Sequence, residues 1–369
     1  MAILQELETL FGYERSENLA PKSLLISILG QILPNYKVIG LVAIGAEGAI
    51  VKAENQTKSY AVKIAHPRFS RSQEVIKVWG FWRYDKEETN QARVRFIRGA
   101  QIQQKIVELI AKSMKDFVRV PGEVSIIENP TLAICMEFVE GISLLRFLME
   151  NRNFKASMLI YRQLLVCLQF IHGCGFIHRD IKPENILVCG NSRLNPQLCF
   201  VDWAQSKEIN PEFSQTLPGT MLGTLPYSSS RMTIDGQAFD ANEADDIVAA
   251  GVMLWEFCNF RKVPKPENSQ ELLVNKNARQ RYIRDLSRNI HPWLHEVFFK
   301  AVEEEKEENR FHHVEPMLFE FEKVLMRNGF FESGAKLNMD FFELRKLVFE
   351  QEERIKGLEE VIERIRDCF

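Results

Sequence analysis

The stretch Phe176-Ile177-His178-Arg179-Asp180-Ile181-Lys182-Pro183-Glu184-Asn185-Ile186-Leu187-Val188 constrains this chain more than any other. It sets an acid, a lysine and an amide in a single turn between two apolar runs, which read as short buried strands. An incidental polar loop between two strands does not account for that density of chemically active groups. Whatever the chain does, its chemistry is expected here.

Length and composition bound what surrounds the turn. At 369 residues there is room for about two domains, and 46% hydrophobic with 26% charged residues is ordinary for a globular chain. A net charge of -3 leaves no polyanion-binding footprint, so nucleic acid is not expected as a main partner. The seven cysteines, Cys135, Cys167, Cys174, Cys189, Cys199, Cys258 and Cys368, are scattered, mostly within apolar runs, with no C-x-x-C pair. They point to reduced core residues of a cytoplasmic protein, not to a disulfide frame or a zinc site. No apolar run approaches the roughly 18 residues of a membrane span, and no basic segment followed by an apolar core opens the chain. A soluble protein without a membrane span is the expectation.

His178-Arg179-Asp180, with Asn185 five residues after the acid, resembles H-R-D-x-x-x-x-N, the catalytic loop of the eukaryotic-type (Hanks-type) protein kinases, in flavour closest to bacterial members. The resemblance implies a division of labour. Asp180 would receive or orient a hydroxyl proton, Lys182 would place positive charge beside the phosphoryl group, and Asn185 would ligate Mg2+. A lysine at 182 resembles the Ser/Thr-specific branch. Upstream, Gly45-Ala46-Glu47-Gly48-Ala49-Ile50-Val51 resembles the glycine-rich loop over ATP, with Gly45 and Gly48 at its second and third glycines and Ile50 over the adenine. Lys63, in Tyr60-Ala61-Val62-Lys63-Ile64, stands where the family grips phosphates; a lysine buried unpaired in such a run is costly. Ala61 and Leu187 are implied nucleotide contacts. Met136 would be the gatekeeper, Glu137 to Val139 the hinge whose backbone meets the adenine edge, and Ser143 would lie near the ribose. Asp202, closing Leu198-Cys199-Phe200-Val201-Asp202, resembles the acid of D-F-G and would be the second Mg2+ ligand. Asp246 would tether the catalytic-loop backbone. Thr224 would be a structural hydroxyl near Asp180, and Arg179 suits control by a phosphorylated segment bearing Ser214, Thr216 and Thr220.

The chain departs from the family pattern at several positions. Ala43 replaces the first glycine of the loop, Trp203 and Ala204 replace the phenylalanine and glycine of D-F-G, and Arg231 replaces a glutamate whose usual partner would be Arg310. Arg95-Phe96-Ile97-Arg98-Gly99-Ala100-Gln101 resembles the start of the regulatory helix, with Gly99 where the family has the glutamate that orients the lysine. Three possibilities stand: Glu108 pairs with Lys63 in a shifted register, Glu87 or Glu88 from the preceding insertion substitutes, or the pair is absent.

Outside the resemblance, residues 1–35 read as two short helices packed on the next domain, and 66–91 as an insertion with an aromatic hairpin or an exposed binding patch. In the tail, Phe341, Leu344, Val348, Gln351, Ile355, Leu358, Ile362, Ile365 and Phe369 recur by three and four among charged residues. That is the seam of a parallel two-stranded coiled coil, or of one amphipathic helix folded back.

The implied architecture is α+β: a bilobal protein-kinase-like fold with a C-terminal coiled-coil helix. Its parts would be an N-terminal helical extension (1–35), a kinase domain (36–328, small lobe to about residue 140) and a coiled coil (335–369). The implied function is a cytoplasmic Ser/Thr protein kinase using ATP and Mg2+, acting on a protein substrate and on itself, homodimeric through its tail. The alternative is a pseudokinase, a nucleotide-sensing or scaffolding coiled-coil module.

Overall fold

The computed structural model describes residues 22–44, 48–65, 86–113, 118–129, 131–190, 197–209, 224–233, 242–303 and 307–330. Helix α1 (Lys22–Ile32) carries Leu25, Ile28, Leu29 and Ile32 at helical spacing, so one whole face is buried. That face packs on strands β1 (Lys37–Ile44), β2 (Gly48–Glu54) and β3 (Ser59–Ala65). Side chains alternate across a strand. Ala49, Val51, Ala53, Val62 and Ile64 therefore meet α1, while Ile50, Ala61 and Lys63 point to the other side.

Helix α2 (Lys86–Ser113) underlies that other side, with Phe96 and Ala100 packed against Ala65, Leu132 and Ile134. It begins earlier than expected: residues 86–91, expected in the insertion, are helical, while residues 66–85, which include the predicted aromatic hairpin, lie outside the described residues. Strands β4 (Val118–Arg119), β5 (Ser125–Ile127), β6 (Ala133–Glu137) and β7 (Ile142–Ser143) follow. The first sheet is fully antiparallel in the order β1-β2-β3-β6-β5.

Helices α3 (Leu144–Glu150) and α4 (Phe154–Gly173) open the helical half. Helix α4 buries Met158, Leu164, Leu165, Leu168 and Ile171, and its Tyr161 hydroxyl donates to the Ala250 carbonyl. The expectation that no segment matches a membrane span needs correcting for this helix: by length and composition it is long and apolar enough, because alternating interior contacts on most sides leave few charged positions. Half of it is buried within the protein.

Strands β8 (Phe176–Ile177), β9 (Ile186–Cys189), β10 (Gln197–Phe200) and β11 (Lys207–Glu208) come next. They build a β4-β10-β9-β7 sheet and a β11-β8 pair, so the apolar runs that flank Asp180 are β8 and β9. The helices α5 (Ser230–Thr233), α6 (Ala244–Asn259), α7 (Ser269–Val274), α8 (Lys276–Ser287), α9 (His295–Val302) and α10 (Val314–Arg327) complete the order. One compact unit ends at Glu322 and a second begins at Lys323. The predicted coiled coil, 335–369, lies outside the described residues, as do residues 1–21 and Gly45.

Candidate active site

Residues 178–185 hang between β8 and β9, and Asp246 at the start of α6 holds them there. Its buried carboxylate accepts the backbone N–H groups of His178 (2.9 Å) and Arg179 (2.7 Å). It also meets His172 Nε2 at 2.9 Å, and His172 Nδ1 faces Glu243 at 3.1 Å. Burial alone would depress the His172 pKa, but the hydrogen bonds and charges of Asp246 and Glu243 outweigh it and raise it to about 9. His172 is thus a buried cation at neutral pH, and it keeps Asp246 below its ordinary value against the opposing effect of burial.

So anchored, the loop turns sharply. Arg179 adopts a left-handed φ of 67° and Asp202, on the opposite wall, one of 63°. Neither is glycine, so each carries backbone strain on the order of 1–3 kcal/mol, held by its surroundings. The Asp180 carboxylate accepts from Lys182 Nζ (2.7 Å) and Asn185 Nδ2 (2.8 Å) on Oδ2, and from the Thr224 hydroxyl (2.8 Å) on Oδ1. Lys182 also donates to Thr224 at 2.8 Å. Because the Asn185 amide nitrogen is committed to Asp180, its carbonyl oxygen is the group left for another ligand.

Across the cleft, Lys63 Nζ lies 2.7 Å from Asp202 Oδ1 and 5.3 Å from the Phe96 ring centre. Desolvation would push the Asp202 carboxyl up; Lys63 first, then Lys182 and His178, hold it below the ordinary range. Gly48 lines the same cleft at the start of β2, where a Cβ would fall 2.3 Å from the Ile64 carbonyl oxygen, so only glycine fits that approach. At the hinge, the Glu137 N–H donates to Gly122 O (2.8 Å) and the Phe138 N–H to Ser59 O (3.0 Å). The Val139 backbone groups make no backbone hydrogen bond among the described residues.

One cleft of about 690 Å3 is lined by Gly48, Ile50, Ala61, Lys63, Glu137 and Val139 from one side. Asp180, Lys182, Asn185, Leu187 and Asp202 line it from the other, and these eleven sequence-derived positions converge from five separate stretches of chain. A model of the protein kinase domain matches residues 36–318. The chain belongs to the protein kinase domain family.

Similar proteins include a probable serine/threonine-protein kinase of Clostridium acetobutylicum, 24% identical over 80% of this chain and 41% of that one. The probable serine/threonine-protein kinase PknB of Lactococcus lactis is 28% identical over 50% of this chain and 28% of its own. The serine/threonine-protein kinase PknD of Chlamydia muridarum is 23% identical over 73% and 29%. The chain thus spans less than half the length of these curated relatives.

Within the kinase frame the departures acquire physical reasons. Gly99 packs on the turn after Asp202: a Cβ there would lie 2.6 Å from the Trp203 carbonyl oxygen and 2.7 Å from Ala204 Cα. No larger residue fits while the helix and the turn keep this spacing. Of the acids considered for Lys63, Glu108 is excluded: it is exposed and lies nine residues beyond Gly99, about 13 Å further along α2. Glu87 and Glu88 belong to the first turn of α2, and their side chains lie outside the described residues. Ser143 is not at the cleft wall; its side chain caps α3, accepting from the Arg146 N–H at 3.4 Å.

Arg231 turns to Asp245, 3.6 Å away, and the Arg179 guanidinium meets the same carboxylate at 3.5 Å. Ser229 donates to it at 2.6 Å. Burial pushes the Asp245 carboxyl up, and the two guanidiniums with Ser229 pull it back. Sequence reasoning missed Asp245 because it stands next to the expected Asp246. It missed Phe96, Gln103 and Pro121, which close the inner end of the cleft, because they supply shape and no charge.

Proposed function

We propose that this chain is a serine/threonine protein kinase that transfers the γ-phosphoryl group of ATP, with Mg2+, to hydroxyls of a protein substrate and of its own chain. One observation carries the proposal: the Asp180 carboxylate, held by three donors at 2.7–2.8 Å, faces the Lys63–Asp202 pair in a single cleft.

The residues suit both nucleotide and metal. A cleft near 690 Å3 is in the range of small-molecule sites, and the Val139 backbone is open to an adenine edge. The Asp202 carboxylate and the Asn185 amide oxygen are the hard donors Mg2+ takes, the remaining positions falling to phosphate and water. When bound, Mg-ATP supplies the phosphoryl group and neutralises part of its charge. The chain's own residues do the rest. Thr224, 2.8 Å from Asp180 Oδ1, shows where a hydroxyl sits to give its proton to that carboxylate. Lys182, bridging the two, puts a fixed positive charge where negative charge develops. Lys63 does the same at the phosphate end.

The second reading, a nucleotide-sensing or scaffolding module without transfer, draws on Gly99, which carries no carboxylate for Lys63. The heptad seam of 335–369 supports a homodimer, and the buried free thiols Cys135, Cys167, Cys189 and Cys199 support a reducing, cytoplasmic setting. To test transfer and its class, the chain is incubated with Mg2+, γ-labelled ATP and a generic protein substrate, and the phosphoamino acids are separated. Phosphoserine and phosphothreonine are expected. Phosphotyrosine, or no label, overturns the reading.

A further inference from the structure

Strand β3 and helix α2 meet where Lys63 enters the cleft. In β3, Lys63 pairs with Ile134 of β6, and Ala65, two residues on, shares its face of the strand. Phe96 of α2 packs against both Ile134 and Ala65, which sets its ring beside the lysine stem. The ring is 2% exposed, and its centre lies 5.3 Å from Lys63 Nζ, inside the roughly 6 Å over which a ring face attracts a cation.

Phe96, Gly99, Ala100 and Gln103 follow one another at helical spacing and all four line the cleft, so they form the face that α2 turns to Lys63. Gly99 has no room for a side chain, and Ala100 offers a methyl group. Gln103 stands about 10 Å along the helix from Phe96, and its amide nitrogen is spent on the Pro121 carbonyl at 2.7 Å. Phe96 is the member of this face that meets the ammonium.

We propose that Phe96 is a positioning residue whose ring face holds the Lys63 ammonium in the cleft, from the helix face where the family pattern has a carboxylate. Asp202, 2.7 Å from Nζ, holds the same group from the other wall, and further partners of Lys63 add to these two. The ring adds hold without adding negative charge, so it takes nothing from the charge that Lys63 presents to phosphate oxygens, and it offers Mg2+ no oxygen ligand. The proposal rests on the kinase reading for what Lys63 grips.

Putting phenylalanine with one, two or three ring fluorines at position 96 of the full chain tests this, because fluorine drains the ring face of negative potential and nearly keeps its shape. The first readout needs no nucleotide: the rate at which trace acetic anhydride acetylates Lys63, followed by peptide mass. Only the neutral amine reacts, so a weaker hold on the ammonium should speed labelling, by about threefold across the series. Lys52, over the Phe138 ring at 4.2 Å, should keep its rate in every protein. Phe96→Leu fills the apolar space without a ring and should label at least as fast as the trifluorinated protein. The second readout is transfer: kcat/KM for ATP should fall stepwise with fluorine number while the urea midpoint stays at the wild-type value. A residue that supplied shape alone would leave both series flat. Labelling that ignores fluorination, or is unchanged in Phe96→Leu, overturns the contact, and labelling that rises while kcat/KM stays constant overturns the positioning role. Rising labelling in a chain that transfers to no acceptor upholds the hold of Phe96 on Lys63 and overturns the kinase reading alone.

Discussion

Replacing Gly99 by alanine sets two effects of opposite sign against each other. Alanine in a helix interior is favoured over glycine by about 1 kcal/mol. The added Cβ, however, meets Trp203 O at 2.6 Å, Ala204 Cα at 2.7 Å and Trp203 C at 2.8 Å. Ordinary carbon contacts are about 3.5–4.0 Å, so α2 and the turn must part by nearly an ångström. Every atom met is backbone, so no side-chain rotation relieves it, and overpacking of this kind costs about 1–3 kcal/mol. The net expectation is destabilisation on the order of 1 kcal/mol. Gly30, in α1, is the control: nothing lies within 4 Å of its added Cβ, so Gly30→Ala should stabilise by up to about 1 kcal/mol. Urea unfolding of the three proteins gives the two signs directly. Moving the turn also moves Asp202 from Lys63, and a misplacement near 1 Å is worth up to about 100-fold in rate. Gly99→Glu, which restores the family's acid, should be worse than alanine. A Gly99→Ala protein as stable as Gly30→Ala, or a Gly99→Glu protein more active than wild type, would refute the packing argument.

Asp245→Asn removes the buried carboxylate that the Arg179 and Arg231 guanidiniums share and should cost about 3–5 kcal/mol in urea unfolding; a loss under 1 kcal/mol would show that the pairs carry little. His172 binds its proton more tightly folded than unfolded, its pKa rising from 6.5 to about 9. Its contribution is therefore complete below pH 6.5 and is lost as pH climbs through 9, a decline bounded at about 3 kcal/mol. His172→Gln should flatten that decline, and an unchanged slope would assign it elsewhere. Because the Arg179 side chain is 1% exposed and already faces Asp245, alanine at Ser214, Thr216 and Thr220 together should leave the transfer rate within about twofold. A collapse of the rate would restore control by phosphorylation.

Much of the site was legible because its chemistry needs charged groups inside apolar runs, and such groups stand out: Lys63 in β3, Asp202 after β10, Asp180 between β8 and β9. Helix α4 carries a complementary signal, with Ile160, Leu164, Leu168 and Ile171 recurring at helical spacing. What escaped were contacts between residues distant in sequence. Gly99 reads as a lost glutamate until the Trp203–Ala204 backbone is seen against it. Arg231 reads as a broken ion pair until Asp245 is found to serve it, and nothing in the sequence beside His172 shows the two carboxylates that close on it. The extent of α2 was misjudged because its first turn, Lys86 to Asn90, is polar and shows no periodic apolar face.

The central claim is phosphoryl transfer directed by Asp180. Intact mass of the wild-type chain and of Asp180→Asn, each incubated with Mg-ATP, tests it most directly. Asparagine keeps the size and most hydrogen bonds of the aspartate but cannot take the proton. The account predicts added phosphates on the wild type and none on the variant. Equal gains in both proteins would contradict it.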